Sequence, residues 1–196
     1  MTNFAAKQQK YKLSQILFFT LIFLLLGNSC KINSEITKTI VWEAHENNSD
    51  GYRIPGIIVS KKGTFLAFAE ERPTFGDADP KSLVLKRSVD GGKNWSENVY
   101  IEKCDGTFWA QHKSIIDPQD KSDKKEVWTN VAPIIDKTTG RIFFFYSLSE
   151  GAVNRQNLQR FTKVFYKYSY DDGLSWSDRI EIKYSPPLDN DHSKLK

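Results

Sequence analysis

Short apolar runs separated by turn residues dominate the chain from about residue 51 onward. Each run is four to eight residues long, rich in branched and aromatic side chains, and bounded by Gly, Pro or Asp. Such runs are typical of β-strands, and no convincing helical period follows the first thirty residues. The pattern therefore predicts an all-β fold, with a polar tether over 30–38 and a first strand near 39–42.

The order of the runs repeats along the chain. The first set is RIPGIIVS, TFLAFAE, SLVLKRS and ENVYIE, and the second is NVAPIID, RIFFFYSLS, TKVFYKYS and DRIEIKY. Four antiparallel strands in tandem are typical of β-propeller blades, and closed propellers typically have about four to eight blades. The repeat predicts blade one over about 51–102, an insertion over 103–126 and blade two over about 127–184. Two blades cannot close a ring, so we expect a partial propeller over 39–185 and a truncated tail over 186–196.

Two octapeptides, SVDGGKNW and SYDDGLSW, both read S-x-D-x-G-x-x-W. Each begins at the last residue of the third run of its set. Asp bonds backbone N–H groups ahead of it, Gly accepts positive φ, and Trp packs its face onto the sheet. We interpret them as the turn between the third and fourth strands. An acidic site at Asp90 or Asp171 is the alternative, but the motif supplies no partner for it. The predicted structural residues are Ser88, Asp90, Gly92, Trp95, Ser169, Asp171, Gly173 and Trp176.

A continuous apolar run over residues 16–26 follows several lysines and precedes Gly-Asn-Ser-Cys. A basic region, a short apolar stretch and small residues before a cut are typical of a secretory signal, and the run is short for a membrane span of about 20 residues. We predict a signal peptide over 1–29, with Cys30 where a bacterial lipoprotein signal places its lipidated residue. A plain secretory signal or a short anchor helix are the alternatives. The expected location is lipid-anchored at the bacterial cell envelope (outer membrane or surface), otherwise secreted or periplasmic.

Composition narrows the function classes. Hydrophobic residues make up 39% and aromatic residues 13% of the chain, so a packed core is expected rather than disorder. The formal net charge is +4, but three of those charges are lysines ahead of the apolar run, so the pI gives no support for a nucleic-acid partner. With two cysteines in all, lipid on Cys30 leaves Cys104 without a disulfide partner, and we expect it to be buried. A cysteine-based metal site is excluded by count, and no metal or cofactor is expected.

The octapeptides resemble the Asp-box, or BNR repeat, of sialidases and some other propellers. YRIPG (52–56) together with GTFLAFAEER (63–72) resembles the start of the exo-α-sialidase (neuraminidase) catalytic domain. The family's order of an Arg-Ile-Pro motif, an LLAFAE-x-R strand, an acidic loop, an LVLRRS strand and a first Asp-box is followed over 52–95, and TNVAPIIDKTTGRIFFFY resembles the next blade. The resemblance covers nearly all of 39–185. It implies the N-terminal portion of a six-bladed sialidase propeller, with about the first two blades present.

The resemblance also implies a site for sialic acid. Family members hold the substrate carboxylate with three arginines, and use a tyrosine nucleophile assisted by a glutamate, with an aspartate as acid/base. Arg53 matches the first clamp arginine, and Arg72 matches the arginine near the 4-position of the sugar. Asp77 has the spacing of the acid/base, whereas Asp79, before a proline, is more typical of a turn cap. Asn130 falls where the family lines the pocket, although the proline that follows it in the family is absent here.

Structural alternatives remain open for these residues. Arg53 is also compatible with a strand-edge arginine paired with an acid, and Arg72 with a solvated loop residue. Trp109, in the insertion, either stacks on a sugar or packs onto its own domain. His45 and His112 have no metal-ligand partners at useful spacing and are expected at the surface.

The family's tyrosine, its glutamate and its other two arginines lie in later blades. The resemblance therefore implies an N-terminal fragment of a bacterial exo-α-sialidase that hydrolyses terminal sialic acid from glycoconjugates and is inactive alone. Its expected partners are sialylated glycans or glycoproteins, with no nucleic acid and with a membrane only through the lipid anchor. The alternative is a non-catalytic BNR-repeat propeller that binds carbohydrate or protein, and a trans-sialidase uses the same first-blade residues. A binding module has no reason to keep both Arg53 and Asp77, so that pair discriminates between the classes.

Overall fold

A computed structural model describes residues 36–112, 123, 125–149 and 162–183 of the 196-residue chain. The chain divides into two units, Met1–Lys38 and Thr39–Lys196, and every helix and strand in the described ranges belongs to the second. The predicted signal segment, its Cys30 and the predicted tail lie outside the described residues. None of the described helices is long and apolar enough to cross a membrane.

The second unit is built from two four-stranded antiparallel sheets, and in each sheet every strand pairs with the next one along the chain. Sheet one contains β1 (Gly51–Val59), β2 (Phe65–Arg72), β3 (Ser82–Ser88) and β4 (Val99–Glu102). Sheet two contains β5 (Val127–Ile135), β6 (Ile142–Ser149), β7 (Thr162–Ser169) and β8 (Ile180–Ile182). This architecture confirms the prediction of an all-β fold made of repeated four-stranded units.

The core lies between the two sheets and is rich in aromatic side chains. On β2, Leu66 and Phe68 point to one face and are fully buried, and the Phe68 ring lies 4.7 Å from the ring of Phe144 on β6. Burial of each such side chain contributes roughly 1.5–3 kcal/mol. Successive strand residues face opposite sides of a sheet, so Ala67 and Ala69 belong to the other face of sheet one. The apolar runs are therefore strands that hold the two sheets together.

Two details of the sequence-based prediction were wrong. Residues 39–42 do not form a strand, because this stretch lies over the face of sheet one instead of along an edge: the Trp42 ring stacks at 5.5 Å on Tyr52, and Lys86 donates a hydrogen bond to the carbonyl of Val41 at 3.0 Å. The insertion was expected to be loop-like, but it contains a short helix, α1 (Thr107–Gln111). Trp109 of this helix is 2% exposed. It therefore packs onto its own domain, which is one of the two alternatives that the sequence left open for it.

Each octapeptide forms the turn after the third strand of its sheet. In the first, Ser88 Oγ donates to Asp90 Oδ1 at 2.8 Å and accepts from the Gly92 N–H at 2.9 Å, while Asp90 accepts from the Asn94 N–H at 3.0 Å. The hydrogen bonds from Asn94 lower the pKa of Asp90 to about 2. The Asp90 carboxylate is therefore engaged in hydrogen bonds within its own turn.

The second octapeptide repeats this geometry and also joins the two sheets. Ser169 donates to Asp171 at 2.8 Å, and hydrogen bonds from Ser175 lower the pKa of Asp171 to about 2. The next residue, Asp172, accepts a hydrogen bond from Thr64 Oγ1 of sheet one at 2.8 Å. Trp176 lies edge-on against Phe68 and Phe144, with 6.1 Å between centroids in each case.

Candidate active site

The first strand of each sheet carries a bulge at the same relative place. In β1 the register shifts directly after Arg53, where Ile54 has φ 52, and in β5 it shifts after Thr129, where Asn130 has φ 65. Positive φ is costly for a β-branched residue, and a bulge re-aims the side chains beside it. Each bulge thus places one predicted site residue, Arg53 or Asn130.

Arg72, the last residue of β2, is buried although it is charged. Its side chain is 3% exposed, and its guanidinium donates to Glu70 Oε2 from Nε at 3.0 Å and from Nη2 at 2.5 Å. Its remaining nitrogen, Nη1, donates a hydrogen bond to Asp77 Oδ1 at 2.8 Å. Burial alone lowers the pKa of Arg72, but the hydrogen bonds to Asp77 and Glu70 outweigh it and the net pKa is raised. Arg72 is therefore a fixed cation and not a solvated loop residue.

Glu70 connects the two sheets beneath Arg72. Its side chain is 0% exposed, and the oxygen that does not face Arg72 accepts from Thr129 Oγ1 at 2.5 Å and from the Asn130 N–H at 3.1 Å. The side-chain amide of Asn130 in turn donates a hydrogen bond from Nδ2 to Ser147 Oγ at 2.8 Å. The β5 bulge is therefore held to the same carboxylate that holds Arg72.

Asp77 lies in the loop between β2 and β3 and faces two arginines. Its Oδ1 is 2.8 Å from Arg72 Nη1 and 3.4 Å from Arg53 Nη1. The Asp77 side chain is 85% exposed and that of Arg53 is 47% exposed, so both are accessible to a ligand. The hydrogen bond from Arg72, followed by the charge of Arg53, lowers the pKa of Asp77 from its ordinary value of 3.8. The carboxylate is thus held ionised in this arrangement.

Asp79, the competing candidate, is turned into its own loop. Its Oδ2 accepts a hydrogen bond from Thr74 Oγ1 at 2.6 Å, and its N–H donates to the carbonyl of Gly76 at 3.2 Å. Of the two loop aspartates, only Asp77 has described hydrogen bonds to the arginines. The geometry thus favours Asp77 over Asp79.

Two residues of the site were missed from the sequence. Glu70 carries a signal, because it is an acid inside the apolar run FLAFAE, and a charge in a buried strand requires a partner. Lys81 is 1% exposed, and its ammonium donates to the main-chain carbonyl of Asp77 at 2.6 Å. Nothing in the sequence around Lys81 distinguishes it from a surface lysine.

The other polar candidates do not join this group. His112 Nδ1 donates to the carbonyl of Phe108 in the preceding helix at 2.8 Å, and Cys104 is half-buried against Ser82. Across the described ranges no group of three or more His, Cys, Asp or Glu is arranged to hold a metal ion. The connected network therefore runs from Arg53 through Asp77, Arg72 and Glu70 to Asn130.

Known sialidases are similar to this chain. No protein-family model matches the chain. A sialidase of Micromonospora viridifaciens is 33% identical over 136 residues, which is 65% of this chain and 19% of that protein. Sialidase-3 of Rattus norvegicus is 27% identical over 156 residues, which is 77% of this chain and 32% of that protein. The chain thus spans about a fifth to a third of the length of these relatives.

A solved structure supports the fold. The Hadza microbial sialidase Hz136 matches with a TM-score of 0.55 and 20% identity, over 70% of this chain and 27% of the other. The two repeated sheets and this neighbour define the chain as a β-propeller type, consistent with the first blades of such a fold. Similarity to several curated sialidases, at 26–33% identity over 65–77% of this chain, supports the sialidase family for it.

Proposed function

We propose that residues 39–185 supply the first part of the active site of an exo-α-sialidase. The observation that carries the proposal is the convergence of Arg53 and Arg72 on Asp77 at the loop end of β2. Arg53 is proposed to bind the substrate carboxylate, because a planar guanidinium grips a carboxylate through two parallel hydrogen bonds. Arg72 is proposed to lie near the sugar's 4-position, and Asn130 to line the pocket.

Asp77 is proposed as the acid/base of glycoside cleavage. In the free protein its lowered pKa keeps it ionised, which does not suit a proton donor. A substrate carboxylate that takes up Arg53 removes one of the charges that hold the pKa down, and exclusion of water by the sugar raises it further. Substrate binding is therefore proposed to raise the pKa of Asp77 so that its carboxylate takes up a proton from water and donates it to the leaving oxygen. The Asp77 carboxylate formed in this way then acts as a base and takes a proton from the attacking water.

The charges of the group favour an anionic ligand. Arg53 and Arg72 converge beside an exposed surface, and the Arg53 side chain is 47% exposed, so a guanidinium is accessible to an anionic ligand. The same accessible guanidinium supports the alternative of a non-catalytic sialoside-binding module. The presence of an acid between the arginines is what favours catalysis over binding alone.

Ligand binding by the isolated chain tests the proposed clamp. Because one arginine holds a carboxylate only weakly, we expect millimolar binding of a 2,3-didehydro sialic acid analogue, detected by saturation-transfer NMR. The signal is expected to fall in Arg53→Met and to be absent for the methyl ester, which lacks the charge. Equal signals from the acid and its ester would overturn the clamp.

Turnover is a separate measurement. We propose that the chain alone does not hydrolyse a fluorogenic sialoside, because the family's nucleophile and remaining arginines are supplied by later blades. Turnover by residues 30–196 that disappears in Asp77→Asn would contradict this inactivity and would at the same time support Asp77 as the acid/base.

Export and lipid anchoring at Cys30 are also proposed. They are supported by the lysines, the apolar run and the Gly-Asn-Ser-Cys sequence at the start of the chain. Expression in a bacterial host with labelled palmitate is expected to label the protein and Cys104→Ala, but not Cys30→Ala. Absence of label from the wild-type protein would leave a plain signal or an anchor helix as the explanation, and label retained in Cys30→Ala would place the lipid on another residue.

A further inference from the structure

Lys81 is a buried cation whose ammonium donates a hydrogen bond to a main-chain carbonyl instead of to a carboxylate. The residue is 1% exposed, and its Nζ lies 2.6 Å from the carbonyl oxygen of Asp77. Burial, followed by the charge of Arg72, lowers the pKa of Lys81. Burying a cation beside another cation is costly, so a contact is needed to offset that cost. The contact in this structure is with the backbone of the loop that presents Asp77.

The backbone of Lys81 is fixed independently of that loop. Its N–H donates to the Glu126 carbonyl at 3.1 Å, and its own carbonyl accepts from the Trp128 N–H at 3.2 Å. These bonds form a parallel bridge between Lys81 and Val127, so the residue belongs to the junction of the two sheets. Its side chain therefore extends from a rigid base towards the loop.

The Asp77 carboxylate, in contrast, depends on its loop for its position. It is 85% exposed, so it has little packing of its own. One side of the loop is closed by the Thr74–Asp79 hydrogen bond of 2.6 Å, and the Lys81 ammonium holds the carbonyl of Asp77 itself. Lys81 therefore supports, through the main chain of Asp77, the position in which Asp77 Oδ1 lies 2.8 Å from Arg72 Nη1.

We propose that Lys81 is a positioning residue, which anchors the main chain of Asp77 so that its carboxylate stays within reach of Arg72 and Arg53. The catalytic meaning of that placement rests on the proposed function of Asp77, but the anchoring itself does not. The groups that face the Lys81 ammonium are Asp77, Asp79, Glu70 and Arg72. None of them offers a second link between the sheet junction and the Asp77 carbonyl among the described hydrogen bonds.

Backbone dynamics of the chain test this proposal without any substrate. From ¹⁵N relaxation, the Asp77 amide is expected to have an order parameter of about 0.85 in the wild type and below about 0.6 in Lys81→Met. The matched control is Lys86→Met, which removes a similar lysine–carbonyl hydrogen bond, to Val41 at 3.0 Å, away from the loop. In that control the order parameter of the Asp77 amide is expected to stay at about 0.85. A folded Lys81→Met protein with an unchanged Asp77 order parameter would overturn the proposal.

A wild-type measurement covers the case in which Lys81→Met does not fold. The Lys81 ammonium is expected to show a scalar coupling through its hydrogen bond to the Asp77 carbonyl carbon, and slow hydrogen exchange. Exposed Lys62 provides the fast-exchanging reference. Exchange of Lys81 as fast as that of Lys62, with no coupling, would refute the anchor. Neither result depends on sialoside binding, so failure of the proposed function is recognised separately.

Discussion

Glu70 and Arg72 form a buried ion pair at the end of β2, with Glu70 Oε2 2.5 Å from Arg72 Nη2 and 3.0 Å from Nε. The two side chains are 0% and 3% exposed. Glu70 uses its other oxygen to hold the β5 bulge through Thr129 and Asn130. One carboxylate therefore fixes the arginine of sheet one and the bulge of sheet two.

Loss of this carboxylate is expected to destabilise the fold strongly. Glu70→Gln leaves Arg72 buried with a weaker partner, and breaking a buried pair costs about 3 kcal/mol or more. The free energy of unfolding from urea denaturation measures the loss. Glu181→Gln removes the more exposed pair with Lys163, where the Nζ–Oε1 distance is 2.6 Å, and is expected to cost at most about 1 kcal/mol. Equal losses in the two variants would contradict a special role for Glu70.

The ionisation of Asp77 is expected to depend on Arg53. The pKa of Asp77 lies below its ordinary 3.8 because of the Arg72 hydrogen bond and then the Arg53 charge, so Arg53→Met raises it only part of the way. A carboxyl whose pKa is lowered by folding contributes stability above its unfolded pKa and loses it as the pH falls through its folded pKa. The arginine pairing therefore adds its full stability above about pH 4, and this stability is lost progressively as the pH falls through the lowered pKa of Asp77.

NMR titration of ¹³C-labelled aspartate carboxyls measures this pKa directly. Lys62→Met removes an exposed charge elsewhere and is expected to leave the Asp77 titration unchanged. Since the pair is exposed, added salt is expected to raise the pKa of Asp77. An Asp77 that titrates identically with and without Arg53 would show that the 3.4 Å contact has no electrostatic effect.

A second ion pair, between buried Glu102 and half-buried Arg179, joins β4 to the segment before β8. Arg179 donates to the two oxygens of Glu102 from Nε at 3.0 Å and Nη2 at 2.6 Å, and Tyr146 donates to the same carboxylate. Burial raises the pKa of Glu102, but the hydrogen bond from Arg179 and the charge of Lys167 outweigh it, and the net pKa is lowered. The pair therefore stabilises the fold above the unfolded pKa of Glu102 and loses that effect in acid.

Arg179→Met is expected to cost about 3 kcal/mol or more at pH 7, since it leaves Glu102 buried without its main partner. The deficit relative to the wild type is expected to shrink as the pH falls below about 4.5. Urea denaturation at several pH values gives both results. Tyr146→Phe, which removes one hydrogen bond and no charge, is the milder comparison at about 1 kcal/mol. A deficit that is the same at all pH values would indicate lost packing of Arg179 on its aromatic neighbours and not lost charge.

Gly173 of the second octapeptide is expected to tolerate no side chain. It has φ +76, and a Cβ there would lie 2.6 Å from Leu66 Cδ2 of sheet one. Gly91 has the same φ of +76 with nothing within 4 Å of its Cβ position. Gly91→Ala therefore measures backbone strain alone, about 1–2 kcal/mol, and Gly173→Ala adds roughly 1–3 kcal/mol of overpacking. Thermal or urea unfolding compares the two variants, and equal losses would mean that Leu66 moves aside freely.

The repeat architecture was accessible from sequence because strand runs, turn glycines and the octapeptides are local features. Each depends on side-chain alternation or on a preferred φ within a few residues. The segment near Trp42 was mispredicted as a strand because its apolar residues satisfy a strand pattern, whereas its Trp42 ring stacks on Tyr52 of β1. The helix around Trp109 was missed because five residues are too short to show a helical period.

The sequence by itself determined the class of fold and named Arg53, Arg72 and Asp77 as candidates. Only the tertiary structure decided that Asp77, and not Asp79, faces the two arginines. Only it identified Glu70 and Lys81 as the residues that hold the group together. The physical reason is that these contacts join strands and loops through buried charges, and the partner of a buried charge is set by how the two sheets pack, which no local pattern records.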